Sequence, residues 1–129
     1  MALTISAAAA QAMATALATD IGPAATIEIR TGTKPATPET AASGTLLATV
    51  TISGSFSATG GVLTAADPAS ASVVATGTAA HFRVKTSGGT AKLDGTVGTS
   101  GQDMNLSSTS LVSGGTVDLG VPTITVPVA

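Results

Sequence analysis

The sequence predicts a mainly β protein, an antiparallel β-sandwich or jelly-roll-like barrel preceded by one N-terminal α-helix. Two observations predict this class. An alanine-rich stretch ends at Gly22-Pro23, and from residue 25 onward apolar residues alternate with threonine and other polar residues. Short strands separated by Gly, Ser, Thr and Pro turn signals are typical of sandwiches and barrels. We expect one domain over residues 1–129, with the helix at 6–19 and the sandwich at 25–129.

The helix prediction depends on alanine, the strongest helix former. Larger apolar residues recur every four positions along one face: Met13, Leu17 and Ile21. Thr4 or Ser6 can act as the N-cap, and Gly22 with Pro23 ends the helix. The rest of its surface is Ala and Thr instead of Lys and Glu, which indicates contact on more than one side. We expect a partner to pack on the small side chains of this helix: Ala9, Ala12 and Ala16.

The first strands follow from a period of two. Residues 26–30 alternate, with Ile27 and Ile29 predicted to face inward. A polar loop follows at 31–44, and a second strand is predicted at 45–53. The inward face of that strand is predicted to consist of four residues: Leu46, Ala48, Val50 and Ile52. Further along, Gly60-Gly61 indicates a turn or a bulge.

The clearest pattern is a central hairpin, with a turn at 86–89. Phe82 and Val84 alternate with polar residues and are predicted to be buried, and Ala91 and Leu93 continue that face on the return strand. Five polar residues could share the opposite face: His81, Arg83, Lys85, Lys92 and Asp94. We interpret this face as solvated, with cross-strand charge pairs. The less favoured alternative is a small binding patch or a proton-transfer site, and any role of His81 is expected at an interface. Replacement of Arg83 by Ala is then expected to leave folding intact.

Turn signals divide the remaining chain. Asp67-Pro68 marks a turn, and residues 113–115 mark a break before a further strand. Met104 and Leu106 precede that break. Two alternating apolar sets follow it: Val117, Leu119 and Val121, then Ile124, Val126 and Val128. Pro122 and Pro127 should place the final strand at a sheet edge, because proline cannot donate to a central ladder.

The composition excludes several classes of function. The chain has 129 residues, no Cys, one His and a formal net charge of -2. It therefore has no thiolate nucleophile, and one His cannot supply a multi-histidine metal site. It also lacks the clustered Lys and Arg that bind nucleic acid through phosphates. We expect no cofactor, no small-molecule substrate, no nucleic-acid partner, no membrane span and no signal peptide.

Motif-like features add no catalytic prediction. The glycine-rich residues 95–101 lack the Lys and Ser or Thr of a phosphate loop, because Gln102 follows Gly101. Glu28 and Glu39 are far apart in the sequence for a glycosidase pair, and their distance in the fold stays open at this point. We expect that the chain is not an enzyme.

The composition also predicts assembly. Leu, Ile, Val and Phe make up just over a fifth of the chain, whereas Ala, Thr, Ser and Gly make up more than half. A core this thin gains stability from regular strands or from burial against neighbouring subunits. We expect the protein to form a homo-oligomer or to dock on a larger structure.

The sequence resembles small virion structural proteins of tailed bacteriophages, whose members resemble capsid decoration or minor capsid proteins. The residues that carry the resemblance are Ile27–Gly32, Thr76–Val84, Leu93–Gly98, Asp103–Leu106 and Val112–Val117. The resemblance covers nearly the whole chain and is most specific over residues 81–115. It implies a virion protein assembled in the host cytoplasm, with the major capsid protein or another virion protein as partner, and no catalytic residues.

Two alternatives to a decoration or cement protein remain open. The first is a tail-associated or adaptor component of the virion. The second is a surface- or carbohydrate-binding module, which is less favoured because the chain has no Trp or Tyr to present to a sugar ring. Candidate interface residues in any of these roles are the helix alanines and the polar face of the hairpin: Ala9, Ala12, Ala16, His81, Arg83 and Lys85.

Overall fold

The computed structural model describes residues 4–65, 69–120 and 123–125. These residues form one helix followed by short strands, which confirms the mainly β fold with a sandwich-like or barrel-like curl. The elements in chain order are α1 (Ala7–Ile21), β1 (Thr26–Arg30), β2 (Leu46–Thr51), β3 (Ser57–Thr59), β4 (Val62–Thr64), β5 (Ala69–Ser72), β6 (Gly77–Thr78), β7 (His81–Lys85), β8 (Ala91–Gly98), β9 (Met104–Asn105), β10 (Ser110–Leu111), β11 (Thr116–Gly120) and β12 (Thr123–Thr125). The predicted turn at Asp67-Pro68 lies outside the described residues, as do Val121, Pro122 and residues 126–129.

The main sheet has five strands in the order β2-β1-β7-β8-β9. Its pairings are antiparallel except the last, because β9 runs parallel to β8. The carboxylate of Asp103 explains this exception: it accepts hydrogen bonds from the amide and hydroxyl of Thr96, at 3.0 and 3.1 Å. These bonds hold the chain that follows β8 beside that strand. Smaller sheets pair β10 with β6, β11 with β5, and β12 with β4 and β3.

The helix begins at its predicted cap and extends two residues beyond its predicted end. Ser6 is the N-cap, and its hydroxyl accepts a hydrogen bond from the amide of Ala9 at 3.1 Å. Gly22 ends the helix at a φ of 76°, which glycine adopts without strain. Within the part of the chain that the structure describes, no helix is long and apolar enough to cross a membrane.

Alanine, and not the larger apolar residues, forms most of the buried helix face. The buried residues are Ala10, Ala14, Ala18 and Ile21. Of the predicted apolar stripe, Ile21 is buried and Leu17 is half-buried, but Met13 is 49% exposed. Small side chains let the helix approach the β3–β4 hairpin closely, since a methyl built on Gly61 would lie 3.2 Å from Cβ of Ala10. Close approach compensates for the scarcity of large side chains.

Gln11 fastens the helix to that hairpin. Its Nε2 donates to the carbonyl of Ala58 at 2.9 Å, and its Oε1 accepts from the amide of Gly61 at 3.4 Å. These bonds satisfy backbone groups of β3 and of the Gly60-Gly61 turn that the β3–β4 ladder leaves free. One side chain therefore orients the whole hairpin against the helix.

The strand β2 departs from strict alternation at a bulge. Ile29 pairs with Ala48, but Arg30 pairs with Leu46, so Leu47 is the extra residue. The bulge turns Leu47 into the core, where it is fully buried, and leaves Leu46 half-buried. The prediction that Leu46 leads the inward face is therefore wrong by one residue, although the predictions for Ala48, Val50 and Ile52 are confirmed.

The central hairpin follows the predicted register up to a second bulge. Phe82 pairs with Gly95 and Arg83 with Asp94, but Lys85 pairs with Ala91. The turn is closed by a hydrogen bond of 2.9 Å from the amide of Gly89 to the carbonyl of Thr86. Phe82 and Val84 are buried as predicted, whereas Ala91 and Leu93 are half-buried.

The C-terminal strands complete the fold along one edge. β11 pairs antiparallel with β5 and β12 pairs antiparallel with β4, so residues 116–120 lie beside residues 69–72 and residues 123–125 lie beside residues 62–64. Val117 is buried and Leu119 is half-buried. β12 occupies the edge of its three-stranded sheet, in agreement with the predicted edge position of the final strand.

Glycine at position 95 should be required by the ring of Phe82. A methyl group at Gly95 would overlap two ring carbons of Phe82. We therefore expect Gly95→Ala to lower the free energy of unfolding by about 1–3 kcal/mol, the usual cost of overpacking a core. Gly88→Ala is the control, since its methyl would meet only the Thr86 hydroxyl at 3.7 Å. Equal urea-unfolding curves for the two variants would contradict the packing described here.

Candidate functional site

The polar residues of β7 lie on the face of the main sheet opposite Phe82 and Val84. Their cross-strand neighbours are also polar: Arg83 lies between Glu28 of β1 and Asp94 of β8, and His81 lies between Arg30 and Thr96. Residues 31–45, which connect β1 to β2, contact this face. The alternation of β7 thus gathers charged side chains into one polar cluster.

Arg83 and Asp94 form the centre of the polar cluster. Nε of Arg83 donates to one carboxylate oxygen of Asp94 at 2.7 Å, and its Nη2 donates to the other at 2.9 Å. The same Nη2 donates to the carbonyl of Thr40 at 2.7 Å. The side chains are 5% and 2% exposed. A bidentate, buried pair of this kind has high geometric specificity.

The charge of Arg83 is secure in this position. The hydrogen bond with Asp94 raises the pKa of Arg83 above its ordinary value, and the negative charges of Asp94, Glu28 and Glu39 add to this effect. Desolvation opposes them. The net direction is upward, so the guanidinium stays protonated throughout the pH range in which proteins fold.

Glu28 links the other two cations of the cluster. Its carboxylate accepts from Nε of Arg30 at 3.2 Å and from Nζ of Lys85 at 3.1 Å. Both cations are partly exposed, so solvent screens these pairs more than it screens Arg83–Asp94. Glu28 is therefore held in two ion pairs within the cluster.

His81 is fully buried and only half satisfied. Its Nδ1 lies 3.1 Å from the carbonyl oxygen of Gly32. A carbonyl can only accept, so Nδ1 carries a proton. Nε2 is buried and has no hydrogen-bond partner among the described residues. One ring nitrogen of this buried side chain in β7 is therefore unsatisfied.

The predicted exposure of this strand face is wrong for two of its residues. His81 is 0% and Arg83 is 4% exposed, and only Lys85 is half-buried. The cause is the connection at 31–45, which contacts both residues and which period-two alternation cannot foresee. The expected cross-strand charge pairs are confirmed, but the face is not solvated. His81 and Arg83 offer no surface to a partner in this conformation.

Lys92 does not belong to the polar cluster. It is the extra residue of the bulge in β8, and its Nζ pairs with the carboxylate of Asp20 in α1 at 2.9 Å. The bulge therefore ties the end of the helix to the main sheet.

The helix alanines predicted to contact a partner differ in exposure. Ala12 and Ala16 are exposed, and Ala9 is half-buried. Met13 extends this exposed, uncharged surface, which we call the helix face and define by Ala12, Met13 and Ala16. Towards the end of the helix, an open groove runs between α1 and the segment at 55–58, with a floor of Phe56 and Ala18.

A second exposed apolar pair was missed by sequence reasoning. Val74 and Val112 are 62% and 61% exposed. The amides of Ser113 and Gly114 bond to Thr76 and Val73, so the two valines lie on adjoining segments. Each follows a buried neighbour, and that alternation is the signal by which they could have been found.

Neither a metal site nor a phosphate-binding loop is found among the described residues. Among residues 4–65, 69–120 and 123–125, no group of three or more His, Cys, Asp or Glu is arranged to hold a metal ion. The glycine-rich segment 95–101 begins in β8 and is followed by the loop to β9, with no helix behind it. Comparisons with protein-family models, curated proteins and solved structures found no match.

The burial of Arg83 reverses the expectation for its removal. Arg83→Ala would leave the Asp94 carboxylate buried without its partner, so we expect a loss of about 3–5 kcal/mol in unfolding free energy. Lys85→Ala is the matched control on the same strand face, with a loss of about 0–1 kcal/mol for a partly exposed pair. Urea unfolding of both variants decides the matter.

The pair can be separated from general packing by a double-mutant cycle. Arg83→Ala combined with Asp94→Ala should cost less than the sum of the two single losses, because the double variant leaves no buried charge of this pair unpartnered. Additive losses, or an Arg83→Ala variant as stable as Lys85→Ala, would contradict the buried pair.

Proposed function

We propose that this protein is a structural component of a tailed-bacteriophage virion, a decoration or cement protein that binds the capsid shell. The resemblance of residues 27–32 and 76–117 to such proteins motivates the proposal. The observation that carries it is the helix face, an exposed and uncharged surface of small side chains with Met13 at its centre. Such a surface can approach another protein closely at little desolvation cost.

The placement of charge supports the same proposal. Four of the five basic side chains form ion pairs within the domain: Arg30, Arg83, Lys85 and Lys92. The fifth, Lys34, donates to the carbonyl of Pro35 at 3.2 Å. Cations that are neutralised internally cannot form the phosphate-binding surface that a nucleic-acid partner requires. They leave an outer surface rich in Ala, Ser, Thr and Gly, whose side chains lose little entropy at a contact.

A tail-associated or adaptor component is the second candidate. It would use the same uncharged surfaces, so surface chemistry does not separate it from a decoration protein. The number of copies in the particle does, because a shell presents many equivalent sites and a ring or fibre attachment presents few.

Quantitative mass spectrometry of purified virions tests the location. A decoration protein is expected in a copy number comparable with that of the major capsid protein, because it occupies a site repeated over the shell. A copy number typical of one ring would favour the adaptor. Absence of the protein from purified particles would refute both roles.

The helix face can be tested by adding a charge beside Met13. Ala12→Glu should change the unfolding free energy by about 0.5 kcal/mol or less, because position 12 is exposed and Glu is a good helix former. The same change should weaken association with particles that lack the protein, or self-association, by at least about tenfold, or ~1.4 kcal/mol. Sedimentation with particles and analytical ultracentrifugation measure the two effects.

Ser87→Glu is the control for this substitution. Ser87 is exposed in the β7–β8 turn and is far from the helix in the sequence. The Ser87→Glu variant adds the same charge as Ala12→Glu. Its binding should match that of the wild type. If Ala12→Glu also binds like the wild type, the helix face is not the contact.

A further inference from the structure

The connection between β1 and β2 leaves and rejoins the sheet at one narrow neck. The amide of Thr31 donates to the carbonyl of Thr45 at 3.1 Å, and the amide of Thr45 donates to the hydroxyl of Thr31 at 2.8 Å. Gly32 and Gly44 flank this neck at φ values of 85° and 73°. A methyl on Gly44 would overlap the carbonyl of Thr31. The neck is thus specified by two glycines, as in compact surface loops whose ends meet.

His81 holds the neck in place. Its Nδ1 bonds the carbonyl of Gly32, and the amide of Ala80 donates to the carbonyl of Arg30 at 2.9 Å. The neck is therefore attached to β7 by a side chain, and the backbone bond fixes the adjoining end of β1 beside the start of β7. It is the fixed end of the connection.

The body of the connection, residues 33–43, is attached much more weakly. Within it Pro35 is buried, Pro38 and Ala42 are half-buried, and the other residues are exposed. Two hydrogen bonds lie within the body. The hydroxyl of Ser43 donates to the carbonyl of Thr33 at 2.6 Å, and the amide of Thr40 donates to the carbonyl of Thr37 at 3.1 Å. Among the described residues, it is joined to the sheet by the hydrogen bond from Nη2 of Arg83 to the carbonyl of Thr40.

We propose that residues 33–43 form a hinged strap, which lifts from the sheet as a unit about the Gly32–Gly44 neck and is latched by Arg83. Segments with little apolar burial and exposed backbone open at the lowest free energy in a folded protein. When the strap lifts, Arg83 keeps Asp94 through its two other hydrogen bonds. The released Nη2 donor and the buried charged pair then become accessible to an acceptor group of another molecule.

The proposal does not depend on the virion role. It concerns the free protein, and it can fail while the helix face still binds a particle. It explains why a buried ion pair lies under a connection that contributes a single buried side chain: the pair holds a segment that apolar packing does not hold.

Backbone ¹⁵N relaxation dispersion tests the strap in the wild-type protein. The amides of the non-proline residues in 33–43 should show exchange on the microsecond-to-millisecond timescale with one shared rate, because they move together. The amides of Thr31 and Thr45 in the neck, and those of β1 and β7, should show none at that rate.

Arg83→Lys tests the latch. Lysine keeps a cation beside Asp94 but has no guanidinium fork to reach the carbonyl of Thr40, so the open population should rise by at least about fivefold. Lys85→Arg, on the same strand face but away from the strap, should leave dispersion unchanged. Absence of dispersion at 33–43 in both the wild type and Arg83→Lys would overturn the proposal, as would one exchange rate shared by strap and sheet. If Arg83→Lys does not fold, the wild-type profile alone decides.

Discussion

The buried ion pair between Arg83 and Asp94 is the interaction on which the arrangement of the main sheet depends. It joins β7 to β8 and, through Thr40, joins both to the connection that contacts them. An ionised side chain left without its partner in this position would lower the free energy of unfolding by several kcal/mol. The register of β7 against β8 therefore cannot shift without a large loss of stability. A slip of one residue would also place the charges of β7 against the apolar core and expose Phe82 and Val84. Charge and hydrophobicity therefore select the same register.

A chain with few large apolar side chains has to fill its core in other ways, and this protein uses two. The helix presents alanine to the core, which brings its backbone close to the β3–β4 hairpin and lets Gln11 reach that hairpin's backbone. The sheet places glycine at position 95 opposite Phe82, so the ring of one of only two phenylalanines fills the space that a side chain at position 95 would need. Small residues are thus part of the packing. They are not a sign that packing is missing.

The sequence predicts those features that local periodicity controls and misses those that depend on distant segments. Residues 26–30 and 81–85 alternate clearly, so both strands and the turn between β7 and β8 were predictable. The bulges at Leu47 and Lys92 were not, because an extra residue is visible only against its partner strand. The burial of Met13 was predicted wrongly. The helix packs through the small side chains of Ala10, Ala14 and Ala18, which leaves Met13 exposed. The exposure of Arg83 was misjudged because the connection that buries it lies some forty residues away in the sequence.

The internal use of charge also constrains what the outside of the molecule can do. Each basic side chain of β1, β7 and β8 is neutralised within the domain, so the polar cluster stabilises the fold without creating a charged surface. What remains outside is mostly hydroxyls, methyls and backbone, with apolar contacts concentrated at Met13, Val74 and Val112. On the proposed function, the uncharged helix face suits packing against a shell, because few charges there have to be desolvated. Charged side chains are exposed elsewhere, at Asp20, Lys34, Glu39 and Asp103. On the proposed hinge, lifting of the strap would bring the buried Arg83–Asp94 pair to the surface.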